Sequence, residues 1–161
     1  MPERPDPVAT ADDEARALAR GLLQAARVAA LAVTDPADGL PGISRIAFGR
    51  TEAGEMVSLV SALAPHYGAL RQNPDCALMV GEVGAKGDPL THPRLMVKAV
   101  AHFVSRDEAR HAALREEWLR IQPKAKLYVD FADFAFVCFT PRSALLNGGF
   151  ARAFRLQPGD L

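Results

Sequence analysis

The sequence has no surplus of charge of either sign: nineteen basic and nineteen acidic residues cancel. The basic residues are scattered rather than blocked, so the electrostatic footprint that nucleic acid requires is missing, and no nucleic-acid partner is expected. No apolar run approaches the roughly 18 to 20 residues needed to cross a bilayer, so no membrane partner is expected either. The opening MPERPDPVATADDEA is acidic and proline-rich, without a basic stretch followed by an apolar one. No secretory signal is read there, and a cytoplasmic location is expected. Cysteine is scarce. Cys76 and Cys138 lie in the apolar runs CALMVGE and FAFVCFT, where a free thiol behaves as a small hydrophobe. HExxH, CxxC, GxSxG and the P-loop pattern are all missing, and His66, His92, His102 and His111 fall in four different local contexts. The common hydrolytic and metal-binding signatures are thereby excluded; no catalytic residue is assigned and no metal is expected.

What is present describes one globular domain. A chain of 161 residues buries roughly 70% of its unfolded surface, enough for a core without staples. Residues 1–9 hold three prolines and are expected to form a flexible arm, leaving 10–161 as the domain. Thr10 and Asp13 form a capping-box pattern ahead of Leu18, Leu22 and Leu23 at near-helical spacing, which predicts a helix over 10–27. The period then changes to that of strands: VAALAVT (28–34), a turn DPADGLP, and ISRIAFGR (43–50) predict a hairpin. MVSLVS (56–61), CALMVGE (76–82) and RLMVKAVAHFVS (94–105) continue the pattern. In the last of these Leu95, Val97, Ala99, Ala101 and Phe103 share the core face. Ser105 and Glu108 predict the start of a second long helix carrying Trp118 as packed core, and Pro123 stops it. A helical turn around YVDFADF, the strand FAFVCFT (134–140) and a final segment SALLNGGFARAF complete the chain. The fold class is mainly β with flanking helices (α+β), an antiparallel barrel with helices outside.

A short helix within SALAPHYGALRQNP (61–74) begins oddly. Pro65 suits the first helical position, but Ala64 before it offers no side-chain acceptor for the free N–H groups. Such an end attracts a phosphate or carboxylate. Ser61 can add a hydroxyl, His66 a donor, and Arg45 on the neighbouring strand a full charge able to make paired hydrogen bonds.

The order SRIAF, SLVSALAPH, RQNPDCALMV, GDPLTHPRLMVKAVAHF, YVDFADFAF and LLNGGFARAF resembles the split-barrel flavoproteins, the superfamily of pyridoxamine 5′-phosphate oxidase, nearest its haem-utilisation branch. The likeness runs over about residues 15–156 and implies an antiparallel split barrel that forms a homodimer with FMN at the subunit interface. It implies that Arg45 grips the FMN phosphate with Ser61, His66 and Tyr67, that Ile46, Ala47 and Phe48 run beside the flavin ring, and that Arg94 and Leu95 approach it from across the groove. The expected function is that of an FMN-dependent oxidoreductase acting on an unidentified small molecule, with the cofactor supplying the redox chemistry. A dimer interface would also hide the second face of strands such as CALMVG and FAFVCF, which are apolar on both sides.

Two alternatives stand beside it. The same barrel can bind or degrade haem, whose iron is normally held by His, Cys, Met or Tyr. Family members that handle haem are thought to use a histidine near the C-terminus, whereas here none follows His111 and NGGFARAF offers only Phe150 and Phe154, so His66, His92 or His102 would have to substitute. The other alternative is a binding module without cofactor. Pyridoxamine 5′-phosphate oxidase itself uses a C-terminal segment with Trp, Arg and His, and the one tryptophan here, Trp118, belongs to a helix pattern.

Overall fold

The computed structural model describes residues 6–161. Its element order is β1 (Val8–Thr10), α1 (Asp13–Ala25), β2 (Val28–Thr34), β3 (Pro41–Ala47), β4 (Gly49–Arg50), β5 (Met56–Ser61), α2 (Pro65–Gln72), β6 (Asp75–Val80), β7 (Arg94–Val104), α3 (Arg110–Ile121), β8 (Phe134–Asn147) and β9 (Ala153–Leu156). Single turns of 3₁₀ helix occur at Pro89–Thr91, Pro123–Leu127 and Pro158–Asp160. No helix among the described residues is long and apolar enough to cross a membrane.

The strands form one nine-stranded sheet in the order β1-β9-β8-β7-β6-β2-β3, with β5 joined to β8 and to β4. The long strands do the closing. β7 pairs along its whole length with β8, and the first half of β8 also pairs with β5 while its second half pairs with β9. The predicted split barrel is therefore the fold observed. All ladders are antiparallel except β1 with β9, which run parallel.

That parallel pair explains the revised start of α1. Thr10 aligns with Arg155 in the sheet, so it cannot cap a helix, and Asp12 does so instead by accepting from the Ala15 N–H at 2.7 Å. The expected arm over 1–9 falls partly outside the described residues; its end, from Val8, is strand. The second long helix also starts late, at Arg110. Only half of the Ser105–Glu108 box forms: Glu108 accepts from the Ser105 N–H, but the Ser105 hydroxyl turns to Asp107. β8 runs on through Pro141, where a sequence reading stops, because a register shift opposite Lys98 and Ala99 absorbs Arg142 as an extra residue. A bulge tolerates a proline that an unbroken ladder would reject.

Two cores result. The larger fills the barrel with Leu31, Ile46, Phe48, Leu78, Leu95, Val97 and Leu146 beneath α1 and α2. The smaller lies outside the sheet, where α3 lays Leu114 and Trp118 against Val57, Phe136 and Cys138. The doubly apolar character of FAFVCFT thus comes from α3 of the same chain, and no second subunit is needed to cover it. Cys76 and Cys138 are free, and burial pushes their thiols up to about 12 and about 11 respectively, as expected of inert core residues.

Candidate functional site

The outer face of β2, β3 and β6 carries no helix, and it holds a cleft of about 750 Å³ lined by residues 28–30, 43–45 and 79–83. Alternation along the strands creates it. In β6, Leu78 and Val80 point into the core while Met79 points out. In β3, Ile46 points in while Arg45 and Ile43 point out. Arg45 lies directly across from Ala30 in the register, and Ala30 from Met79. A small side chain between the guanidinium and the thioether leaves an open floor. Ile43, Met79 and Val83 are 77%, 45% and 63% exposed, which is a high cost in water-facing apolar surface unless something covers it. Among the described residues Arg45 is exposed and makes no ion pair. Glu82 is the carboxylate on the cleft wall.

Gly81 fixes the far end of this cleft. Its φ is +108°, and an added Cβ would fall 2.8 Å from Arg94 Cα and against the Pro93 carbonyl. Only glycine permits both the backbone angle and the close approach that turns the chain away from β6.

The other predicted site residues are distributed differently. β4 pairs Gly49 with Val57 and Arg50 with Met56, and continuing that register brings Arg45 level with Ser61. The strands have already parted by then, because the Phe48 N–H donates to the Arg27 carbonyl on the other side at 2.9 Å. Ser61 does not line the cleft. Its hydroxyl donates to the Asp133 carboxylate at 3.0 Å and accepts from the Leu63 N–H at 3.2 Å. The start of α2 is indeed without a side-chain cap, yet the N–H groups of Ala62 and Ala64 go to the carbonyls of Asp133 and Ser61. His66, next in line after Pro65, is half-buried, and burial lowers its pKa from the ordinary value. Tyr67 stacks edge-on against Phe103, with ring centres 5.0 Å apart. Ile46, Phe48 and Leu95 are buried, so only their backbone can face a ligand, and Ala47 is half-buried beside them. Arg94 donates to the Leu90 carbonyl at 3.1 Å and holds the loop before β7.

His92 is likewise a loop clamp: Nδ1 accepts from the Gly84 N–H at 2.5 Å, which leaves the Nε2–H to donate to the Lys86 carbonyl at 2.7 Å. His102 is exposed on β7, and His111, on α3, lies edge-on to Phe136. The sequence reading missed Met79 and Asp133. The first was signalled by the in-out alternation of CALMV; the second had no signal, since it meets Ser61 from 72 residues away.

The cleft fits a flat, largely apolar molecule with an acidic group to pair with Arg45. The uncapped start of α2 fits a phosphate less well, because Asp133 puts a carboxylate beside it and occupies the hydroxyl proton that a phosphate oxygen would need.

The pyridoxamine 5′-phosphate oxidase family model matches residues 15–147. The chain is 32% identical over 117 residues to the non-canonical heme oxygenase HOZ, chloroplastic, of Arabidopsis thaliana, a match covering 73% of this chain and 35% of that protein; it spans about a third of that relative's length. A protein of unknown function from Agrobacterium tumefaciens, Atu2129, has 30% identity and a TM-score of 0.81 over 97% of this chain and 64% of its own. A heme binding protein from Mycobacterium smegmatis shares the fold at 24% identity, TM-score 0.77, over 98% of this chain and 60% of its own. The chain belongs to the pyridoxamine 5′-phosphate oxidase family.

Proposed function

We propose that this protein binds haem in the cleft over β2, β3 and β6, as a haem-binding or haem-degrading member of its family. The carrying observation is Arg45, an exposed guanidinium without an ion pair among the described residues, at the edge of a floor made by Ala30, Ile43 and Met79. Haem combines a wide apolar ring with carboxylates, so ring and acid each find a counterpart there. The 32% identical haem oxygenase supports the same ligand. If haem is also a substrate, its oxidative opening draws on dioxygen and an external reductant, while the protein's part is to bind and orient it. The reading includes a homodimer in which a second copy covers Ile43, Met79 and Val83 and closes the cleft.

Titration of the purified protein with haem should give a saturable Soret shift, and Arg45→Ala should weaken it about ten-fold, the loss of one charge-assisted contact. Arg45 is exposed, so the variant should keep its fold. Absence of any Soret shift in the unaltered protein overturns the proposal.

A second reading is favoured by family membership: an FMN-dependent oxidoreductase of an unidentified small molecule, with the phosphate at the uncapped start of α2 beside His66, where the Asp133 carboxylate opposes it. A yellow protein with acid-releasable FMN, bound more tightly than riboflavin, would replace the haem reading with this one. Failure to bind either ligand would leave a binding module without cofactor.

A further inference from the structure

We infer that Met79 supplies the thioether that ligates the iron of haem in this cleft; the inference rests on the haem reading above. Iron in haem takes His, Cys, Tyr or Met from the protein, and among the described residues these side chains can be taken one by one. Both ring nitrogens of His92 are spent on the backbone of its own loop. His111, in the first turn of α3, sits against Phe136 of the other core. His102 is six residues along β7 from Met96, about 20 Å at the usual strand rise, and it lines a different cavity with Arg71 and Phe103. His66 and Tyr67 lie on α2 and do not line the cleft. The Cys76 thiol lies near Met79 in sequence, but it donates to the Ala99 carbonyl at 3.5 Å and is too weak an acid to offer a thiolate at neutral pH. Cys138 is buried against α3.

Tyr128 packs against Phe134 and Met56 is buried in the barrel core, neither of them at the cleft. Among the described residues Met79 is the side chain of these types that lines the cleft, and its position is the right one. It stands out of the cleft floor on β6, with Ala30 beside it on β2 and Arg45 one strand further on β3. In strands side chains rise roughly perpendicular to the sheet, so its sulfur is offered to the face of a flat ligand whose acid reaches Arg45. Two strand spacings, about 10 Å, separate the two backbone positions. Met96 on β7 is the cross-strand neighbour of Met79 on the other side, half-buried and outside the cleft lining. Thioether is a soft ligand, so the bond should be stronger to ferrous than to ferric iron.

The experiment is X-ray absorption at the iron edge on the ferrous haem complex of the full chain. The unaltered protein should show a sulfur neighbour of the iron, Met79→Leu should lose it while still binding haem, and Met96→Leu should keep it. Met79→His should restore a strong ligand field with a nitrogen neighbour; both variants lie at a half-exposed position and should fold. An unaltered complex without a sulfur neighbour of the iron, or a sulfur that survives Met79→Leu, overturns the assignment and leaves haem binding intact. No haem binding at all removes both proposals.

Discussion

The Ser61 hydroxyl donates to the Asp133 carboxylate across the β5–β8 edge at 3.0 Å. That one contact changes the character of the uncapped α2 start, since a hydroxyl aimed at a carboxylate is not offered to a phosphate, and the carboxylate repels one.

Asp133→Asn should therefore alter flavin preference. Removing a like charge a few ångströms from a bound phosphate is worth at least about 1 kcal/mol even in a water-like dielectric, which is roughly five-fold in affinity. FMN should gain at least that much over riboflavin in fluorescence-quenching titrations of the variant, with riboflavin itself unchanged. An equal response of both flavins would show that no phosphate approaches this corner.

His66 predicts an acid-side loss of stability. Burial lowers its pKa below the ordinary 6.5, so between the two values the unfolded chain binds more protons than the folded one. Stability should fall as pH drops through 6.5 and level off once both states are protonated. His66→Gln should flatten that part of the pH profile in urea melts; an unchanged profile would assign the loss to other groups.

Glycines at two sites should respond oppositely to alanine. Gly81→Ala meets both a φ of +108° and backbone contact with Pro93 and Arg94, a cost of about 3 kcal/mol, which lowers Tm by about 6–12 °C. Gly21, exposed in the middle of α1 with nothing near an added Cβ, should gain about 0.5–1 kcal/mol instead. Thermal melts of the two variants check both signs.

His92→Ala should loosen the loop between β6 and β7 without melting the barrel. Both loop contacts of the ring vanish, so amide exchange should rise over residues 82–92 while Leu95 and Val97, fully buried in β7, stay protected. Faster exchange throughout the sheet would mean that the clamp holds more than its loop.

Much of the fold was legible because its causes are local. The hairpin of β2 and β3, the alternation in β7 that buries Leu95, Val97, Ala99 and Ala101, the packing of Trp118 and the missing cap at Ala64 all follow from spacing, turn residues and propensity along a few positions. Arg45 was named from its strand's place beside the uncapped helix start and from the family resemblance, not from spacing. Tertiary structure alone decided the rest, since each of those features needs partners distant in sequence. Thr10 became strand because β9 returns beside it from residue 153. FAFVCFT is hidden by α3 rather than by another chain. Ser61 is claimed by Asp133, and Met79 became cleft floor because β2 and β3 leave only alanine between it and Arg45. A sequence sets which way each side chain leans from its own strand, but which surface it then meets depends on the register of strands brought together only by folding.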